Sequence, residues 1–205
     1  MVLVGPARDD RRSALEVAAG VLQGGGRLLQ LRLKGRPRAE VAAAARAIGA
    51  LAGPLGALVI VNDDAAAAAE AGADGVHVGR DDLTPAAARA VVGPGRLVGR
   101  STHSVAEVER ALAAGADYVG VGTVFPSPTK ADLAAGGPAV LAAVRPLLEA
   151  AGVPGYAIGG IARARVGLVL ATGIHGVAVA SAIVEAEDVA AETAAFLREI
   201  ASIVG

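Results

Sequence analysis

The feature that most constrains this chain is the strict alternation of short apolar, β-rich runs with longer alanine-rich stretches. The β-rich runs are almost continuously apolar, which is typical of parallel strands buried on both faces and covered by helices. Strands are predicted at residues 2–4, 28–33, 58–62, 75–78, 97–101, 118–124, 155–158 and 176–180. Eight strand–helix units predict an α/β fold, a (β/α)8 TIM barrel, with an open doubly wound sheet as the alternative.

The stretches between the strands are predicted to be helices. They cover residues 11–22, 39–51, 64–71, 85–91, 105–114, 137–150, 164–171 and 188–200. Gly72 and Gly115 each begin a Gly-Ala-Asp unit just before a strand, which predicts that they end the preceding helix. No linker or shift of composition divides the chain, so residues 1–205 are predicted to form one domain.

The composition narrows the possible partners and locations. Hydrophobic residues make up 54 % of the chain but aromatic residues only 2 %, so the core must consist mainly of Val, Leu, Ile and Ala. A net charge of −1 gives no basic footprint for nucleic acid, and the absence of cysteine excludes disulfides and thiolate metal sites. No apolar run has the length of a membrane span or signal peptide, which favours a cytoplasmic protein without membrane or nucleic-acid partners.

Three residues of rare type fall at the ends of predicted strands. The chain has only two lysines, Lys34 and Lys130, and a single asparagine, Asn62, whereas the other 17 of its 19 basic residues are arginines. Arginine and lysine serve equally as solvated charges, but only lysine places a compact ammonium on a phosphate. These residues are therefore candidate ligands of a phosphorylated small molecule.

Acidic residues follow two neighbouring predicted strands. Asp63 comes just after the third strand and Asp82 shortly after the fourth, at the barrel end where functional groups gather. Paired carboxylates beside a phosphate are typical ligands of Mg²⁺, a hard cation that prefers oxygen. Asp64 and Asp81 are instead interpreted as helix N-caps or first-turn acids.

Two further segments predict phosphate binding. Gly159 and Gly160 follow the seventh strand and Ser181 the eighth, and these two loops of many barrels bind phosphate through backbone N–H groups. The loop after the sixth strand carries two hydroxyls and an ammonium, stiffened by prolines and able to wrap a polyphosphate. Its polar residues are Ser127, Thr129 and Lys130.

The three histidines differ in position. His77 within the fourth strand and His175 before the eighth are interpreted as structural. His103 ends the fifth strand inside the candidate site, where it could shuttle a proton, although residues 101–104 could equally cap the next helix.

In combination these residues resemble the thiamine-phosphate synthase family over nearly the whole chain. The resemblance rests on Gln30-Leu31-Arg32-x-Lys34, Asn62-Asp63, Gly75-Val76-His77-Val78-Gly79-x-x-Asp82, Ser101-x-His103, Gly120-Val121-Gly122, Pro126-x-Pro128-Thr129-Lys130 and Ala157-Ile158-Gly159-Gly160. It implies a TIM barrel that joins hydroxymethylpyrimidine diphosphate to thiazole phosphate with Mg²⁺. Pyrophosphate leaves, and thiamine phosphate forms.

The resemblance also implies a role for each site residue. The diphosphate would be held by Arg32, Lys34, Asn62 and Lys130, and Mg²⁺ by Asp63 and Asp82. Ser101 would contact the pyrimidine, with Gln30 also counted among the substrate-binding residues. Ser127 and Thr129 would line the thiazole phosphate and diphosphate region, and Gly159 and Ser181 would bind the thiazole phosphate through the backbone. The candidate catalytic residues are Arg32, Ser101 and Lys130.

A sister branch of the family, the thiazole tautomerases, provides an alternative. It shares the barrel and the thiazole phosphate site and tends to show a Gly-Arg-Ser-x-His-Ser stretch, which residues 99–104 match. In that branch the histidine, here His103, would move protons to aromatise a thiazole carboxylate phosphate. That branch typically lacks the diphosphate and metal residues, so their presence here favours the synthase. The sequence leaves the oligomeric state open.

Overall fold

A computed structural model describes residues 1–8, 11–126 and 136–205 of the chain. It contains one sheet of eight parallel strands, each hydrogen-bonded to the next in chain order. An isolated parallel bridge joins Val2 of the first strand to Val179, just after the eighth, and the Leu3 amide donates to the Val179 carbonyl at 2.8 Å. The sheet therefore returns on itself, which confirms the (β/α)8 barrel and excludes the open doubly wound sheet.

The strands are β1 (Val2–Val4), β2 (Leu28–Leu31), β3 (Leu58–Asn62), β4 (Gly75–Val78), β5 (Leu97–Thr102), β6 (Tyr118–Val121), β7 (Gly155–Ile158) and β8 (Gly176–Ala178). The helices are α1 (Ala14–Gln23), α2 (Arg38–Ala52), α3 (Ala65–Ala71), α4 (Pro85–Val92), α5 (Val105–Ala113), α6 (Gly137–Ala151), α7 (Val166–Leu170), α8 (Ser181–Val184) and α9 (Val189–Val204). In the described part of the chain, no helix combines the length and apolarity needed to cross a membrane.

Several predicted boundaries were wrong at the end of the barrel where the site lies. β2 ends at Leu31, β6 at Val121 and β8 at Ala178, each two or three residues earlier than predicted. The apolar run continues past the strand because those residues still pack at the mouth of the barrel. The one-turn helix α8, directly after β8, was not predicted at all.

Helix α1 begins at Ala14 rather than at residue 11 because Ser13 caps it. The Ser13 hydroxyl accepts from the Glu16 amide at 3.3 Å, and the Glu16 carboxylate accepts from the Ser13 amide at 2.8 Å. This reciprocal capping box fixes the start of the helix. At other helix ends, the predicted stop signals are confirmed: Gly72 and Gly115 adopt positive φ angles of 66° and 77°.

The core has two layers of different character. Between the strands and the helices it is aliphatic, with Leu31, Ile48 and Leu141 completely buried. Inside the barrel, aromatic rings contact one another instead: the His77 and Tyr118 rings are tilted with centroids 5.4 Å apart, and Tyr118 and Tyr156 meet edge to face at 5.9 Å. Both tyrosines of the chain are therefore in the barrel interior, beneath the end that carries the polar residues.

Candidate active site

Three cavities with shared lining residues open at the C-terminal ends of the strands, and the predicted site residues are divided mainly between two of them. The charged cavity, of about 340 Å³, is lined by Arg32, Lys34, Asn62, Asp63, Gly79, Arg80, Asp81, Asp82, Ser101 and His103. The glycine cavity, of about 320 Å³, lies beside the loops after β7 and β8, and its wall includes Thr123, Pro126, Gly159, Gly160, Ser181, Ala182 and Glu185. Arg32 lines both cavities and so marks the boundary between them.

The structure therefore brings most of the predicted site residues into two groups at one end of the barrel. Residues predicted for the diphosphate and metal line the charged cavity, whereas Gly159 and Ser181 line the glycine cavity. Gln30 lies deeper, inside the barrel, where it is only 2 % exposed and its amide donates to the Met1 sulfur at 3.4 Å. Three predicted residues lie outside the described part of the chain: Ser127, Thr129 and Lys130.

Asp63 occupies an unusual position at the end of β3. Its φ of 68° is the one positive value among the described non-glycine residues, and its amide donates to the His77 carbonyl at 2.8 Å. Aspartate tolerates this left-handed conformation better than most residues. One Asp63 carboxylate oxygen lies 3.7 Å from the Lys34 ammonium. The strand end thus directs the carboxylate into the charged cavity instead of along the next helix.

Asp63 and Asp82 converge, as predicted. The Gly79 amide donates to an Asp82 carboxylate oxygen at 2.6 Å, which fixes this side chain beside Asp63. The pKa of Asp63 is raised by burial and then by the hydrogen bond and charge of Asp82, while Lys34 and Arg32 act in the opposite direction. The positive charges therefore compensate the acidic pair only in part, and a cation would stabilise both ionised carboxylates.

This acidic pair fits magnesium. Across the described residues, no group of three or more His, Asp, Glu or Cys side chains could enclose a metal ion. Mg²⁺ does not require such a cage, because it commonly binds one or two carboxylates together with waters and substrate phosphates. Two hard oxygen donors beside a cavity that also contains Arg32 and Lys34 meet that description.

The neighbouring acids have different roles. Asp64 caps α3, as predicted, since its carboxylate accepts from the Ala67 amide at 2.9 Å. The prediction that Asp81 caps a helix was wrong: α4 is capped by Thr84, whose hydroxyl accepts from the Ala87 amide at 3.2 Å. Asp81 is exposed and lines the charged cavity. Helix α4 begins at Pro85, as predicted, and Asp81 lies three residues before its cap, outside both the cap position and the first turn.

A buried hydrogen-bonded chain leads to Ser101. The Ser101 hydroxyl lies 2.9 Å from His77 Nε2, and the Tyr118 hydroxyl lies 3.1 Å from His77 Nδ1. Burial raises the pKa of Tyr118 above its usual range, while a hydrogen bond from Gln30 acts against that rise. Tyr118 is therefore a neutral hydroxyl, and the chain fixes the orientation of Ser101. Gly99 leaves the space that the Tyr118 ring fills.

Sequence reasoning missed the connection of His77 and Tyr118 to the site. His77 was interpreted as structural, and its 5 % exposure agrees with that, yet its ring contacts a predicted substrate-binding residue. Tyr118 is one of only two tyrosines, so the rarity argument applied to lysine would also have singled it out. Their inward orientation follows only from closure of the barrel.

His103 lies where predicted, at the end of β5 in the charged cavity. Its Nδ1 contacts the Gly122 carbonyl, and its amide donates to the Glu107 carboxylate at 2.8 Å. A carbonyl can only accept, so this contact places a proton on Nδ1. Ser104, not His103, caps α5 by accepting from the Glu107 amide at 3.3 Å.

The glycine cavity is shaped by backbone rather than by side-chain charge. Gly159 and Gly160 have φ angles of 102° and 63°, and a Cβ on Gly160 would lie 2.7 Å from the Pro126 carbonyl oxygen. The Arg165 guanidinium holds this turn from outside, donating to the Gly160 carbonyl at 2.9 Å and lying 4.6 Å from the Phe125 ring centroid. The turn thus packs directly on the chain that leaves β6.

Comparison with known proteins gives consistent matches. The family model described as thiamine monophosphate synthase matches residues 1–183. A thiamine-phosphate synthase of Bordetella avium is 44 % identical over 194 residues, covering 92 % of this chain and 88 % of the relative. One of Gloeobacter violaceus is 44 % identical over 186 residues, which cover 91 % of this chain but about half (54 %) of that relative's length.

Comparison with solved structures indicates the same family as the sequence matches. A thiamine phosphate pyrophosphorylase from Pyrococcus furiosus superposes with a TM-score of 0.89 at 31 % identity, covering 100 % of this chain and 96 % of the other. Fold and cavities define this chain as a (β/α)8 barrel whose strand ends carry a site lined by charged and polar residues. The matches to sequence and structure together are more specific: the chain belongs to the thiamine monophosphate synthase family.

Proposed function

We propose that this chain joins hydroxymethylpyrimidine diphosphate to thiazole phosphate, releasing pyrophosphate and forming thiamine phosphate. The observation that supports this most strongly is the pair of neighbouring cavities, one charged and one formed by backbone, with Arg32 lining both. Two phosphorylated substrates need two anion sites close enough for their reacting atoms to meet. Membership of the thiamine monophosphate synthase family supports the same activity.

The diphosphate is proposed to occupy the charged cavity. Arg32, Lys34 and Asn62 would contact its oxygens, with Lys130 as a further ligand from the loop after β6. Asp63 and Asp82 would hold Mg²⁺, which when bound neutralises charge on the leaving pyrophosphate. Lys34 and Arg32 offset only part of the effect of burial and of Asp82, so the pKa of Asp63 remains raised. This supports a cation bound at this position.

The pyrimidine is proposed to contact Ser101. His77 and Tyr118 hold that hydroxyl at a fixed angle, so it can orient the ring without rearranging. Bond cleavage transfers the electron pair from the pyrimidine methylene carbon to pyrophosphate and leaves a cation. The thiazole nitrogen then forms the new bond to that carbon. Such a reaction depends on positioning and electrostatics more than on a general base.

The thiazole phosphate is proposed to occupy the glycine cavity, where Gly159 and Ser181 would bind it through their backbone N–H groups. The first N–H groups of a helix have no partner within it, so the start of α8 at Ser181 presents donors to this cavity. Ser127 and Thr129 are proposed to line the thiazole phosphate and diphosphate region. Arg32, Ser101 and Lys130 remain the proposed catalytic residues.

The tautomerase alternative has no support from the relatives, which are named thiamine-phosphate synthase or thiamine phosphate pyrophosphorylase. Asp63 and Asp82, residues which that branch typically lacks, are both present in the charged cavity. His103 is then a residue of the cavity wall rather than the proton shuttle. We further propose that residues 1–205 act as one catalytic domain on phosphorylated small molecules in the cytoplasm.

The direct test is turnover by the purified protein with both substrates and Mg²⁺. Release of pyrophosphate with stoichiometric formation of thiamine phosphate is expected. Asp82→Asn serves as the inactive control, and chelation of Mg²⁺ should stop the reaction in the wild type. Isomerisation of a thiazole carboxylate phosphate without pyrophosphate release would contradict the proposal.

A further inference from the structure

Two arginines of the loop between β1 and α1 bind a run of four backbone carbonyls in the segment after β8, which is the neighbour of β1 in the closed barrel. Arg12 donates to the carbonyls of Val184, Ala186 and Glu187, at 3.4 Å for the first and 3.0 Å for the last. Arg11 donates to the Glu185 carbonyl between them at 2.6 Å. The four carbonyls of residues 184–187 therefore all bind guanidinium groups that lie more than 170 positions earlier in the chain.

The bound carbonyls belong to the segment that forms one wall of the glycine cavity. Ser181, Ala182 and Glu185 line that cavity, and α8 occupies the first part of the segment. A helix of four residues has almost no stability of its own. Its position must therefore come from contacts made outside the helix, and the carbonyl end of the segment is bound chiefly by Arg12.

We infer that Arg12 is a positioning residue for the wall of the glycine cavity at α8, and that it thereby sets the affinity for thiazole phosphate. The inference rests on the proposed function, which places that phosphate against Ser181. Arg12 does not line the cavity and would not touch the substrate. It acts through the backbone: while its guanidinium binds the carbonyls after α8, the amides at the start of α8 keep their place.

The guanidinium geometry matters more than the charge. Arg12 distributes its bonds between two terminal nitrogens, with Nη1 on Glu187 and Nη2 on Val184 and Ala186. A lysine ammonium is a single point with no planar fork and cannot reproduce that pattern. Arg12→Lys therefore keeps the charge and most of the aliphatic stem while loosening the segment.

A matched control is available at the opposite end of the barrel. Arg27 also binds backbone carbonyls, those of Leu22 and Gly26, at 3.1 and 2.9 Å. It lines neither of the two cavities of the candidate site. Arg27→Lys makes the same chemical change where only stability can respond.

The experiment measures steady-state kinetics, melting temperature and calorimetric binding of thiazole phosphate for the wild type, Arg12→Lys and Arg27→Lys. For Arg12→Lys we expect about a tenfold increase in both KM and Kd for thiazole phosphate. The KM for pyrimidine diphosphate should change less than about twofold. Arg27→Lys should leave all three constants unchanged. In Arg12→Ala, millimolar guanidinium should restore part of the lost affinity.

Outcomes that overturn the inference are separate from those that overturn the proposed function. Wild-type affinity for thiazole phosphate in Arg12→Lys, or equal increases for both substrates, would overturn the positioning role. A wild type that binds thiazole phosphate but forms no thiamine phosphate would contradict the proposed function, while the binding measurements would still decide the role of Arg12. A wild type that does not bind thiazole phosphate would overturn both.

Discussion

The charged cavity and the glycine cavity lie side by side at the mouth of the barrel, but they are built differently. The charged cavity is formed by acidic, basic and other polar side chains at the ends of β2 to β5, whereas the glycine cavity is lined mainly by the loops after β7 and β8 and shares Arg32 with the charged cavity. The side chains that form the charged cavity can be substituted one at a time. The shape of the glycine cavity depends on backbone position, so it responds to glycine substitutions and to distant contacts such as those of Arg12.

The difference suits two substrates with different tasks. A leaving diphosphate gains negative charge during the reaction, and its attraction to nearby cations becomes stronger as that charge grows. Those cations would be Arg32, Lys34 and a metal held by Asp63 and Asp82. A phosphate that only anchors its substrate keeps its charge throughout. Backbone amides in a rigid turn are sufficient for that role. Four substitutions test this division, and their predicted effects on kinetics decrease from Asp63→Asn to Tyr118→Phe.

Asp63→Asn should have the largest effect. It removes a proposed metal ligand, and asparagine tolerates the left-handed backbone at this position, so the fold should be retained. We expect kcat to fall about 1,000-fold, with the KM for thiazole phosphate little changed. Steady-state kinetics at saturating Mg²⁺ measure both quantities. Retention of more than a tenth of wild-type kcat would remove Asp63 from the metal site.

The raised pKa of Asp63 predicts that Asp63→Asn, which should lower activity, increases the stability of the metal-free protein. Burial and Asp82 favour its protonated form in the folded state, so without Mg²⁺ stability should increase as pH falls through the raised pKa. Asparagine mimics the protonated form, and Asp63→Asn should therefore raise the metal-free melting temperature by roughly 2 °C. Mg²⁺ must displace that proton, so the apparent affinity for Mg²⁺ should weaken as pH falls. A lower melting temperature for the variant would contradict this balance of charges.

Gly160→Ala tests the glycine cavity. A Cβ would approach the Pro126 and Phe125 backbone oxygens to 2.7 and 2.8 Å, so the turn must move. We expect the KM for thiazole phosphate to increase roughly 50-fold while that for pyrimidine diphosphate stays near the wild-type value. Gly56→Ala is the control, because its φ of 62° matches the 63° of Gly160 but nothing lies within 4 Å of the added Cβ. Similar kinetics for both variants would show that the turn does not shape the site.

Lys34→Arg tests whether the charged cavity needs a compact ammonium. Lys34 lies 3.7 Å from Asp63, and a planar guanidinium in its place would contact the acidic pair with a different geometry. We expect kcat/KM for pyrimidine diphosphate to fall about tenfold, equivalent to about 1.4 kcal/mol. Arg36→Lys, at an exposed residue outside the charged cavity, should have no effect. Unchanged kinetics in Lys34→Arg would show that charge alone matters there.

Tyr118→Phe should have the smallest effect. It removes only the hydroxyl that contacts His77, leaving the ring packed above Gly99. A net hydrogen-bond contribution of about 1 kcal/mol corresponds to roughly a fivefold loss of kcat/KM for pyrimidine diphosphate. Tyr156→Phe makes the identical change in the ring that meets Tyr118 edge to face and should be neutral. Equal losses in the two variants would assign the effect to stability rather than to Ser101.

The sequence predicted the charged cavity better than the glycine cavity, and the reason is physical. Lys34, Asn62 and the two aspartates are side chains at strand ends, so chemical type and position along the chain were enough to group them. The left-handed conformation of Asp63 could not be predicted, although it directs the carboxylate inward. Of the glycine cavity, the sequence indicated Gly159, Gly160 and Ser181, but not what holds them.

What the sequence missed depends on contacts distant along the chain. Tyr118 approaches His77 across 41 positions, and Arg12 reaches Glu187 across 175. Neither contact leaves a local pattern, because each forms only when the barrel closes. Helix α8 was missed for a related reason: a single turn after a strand has no periodicity from which to predict it.

Equilibrium binding of each substrate, with and without Mg²⁺, tests the two-cavity assignment most directly. Calorimetric titration of the wild type should show that Mg²⁺ strengthens binding of pyrimidine diphosphate at least tenfold, because Asp63 and Asp82 would hold the metal in the cavity proposed for the diphosphate. Binding of thiazole phosphate should be the same with and without the metal. Equal dependence of both substrates on Mg²⁺, or dependence of neither, would contradict the division between a charged and a backbone-built cavity.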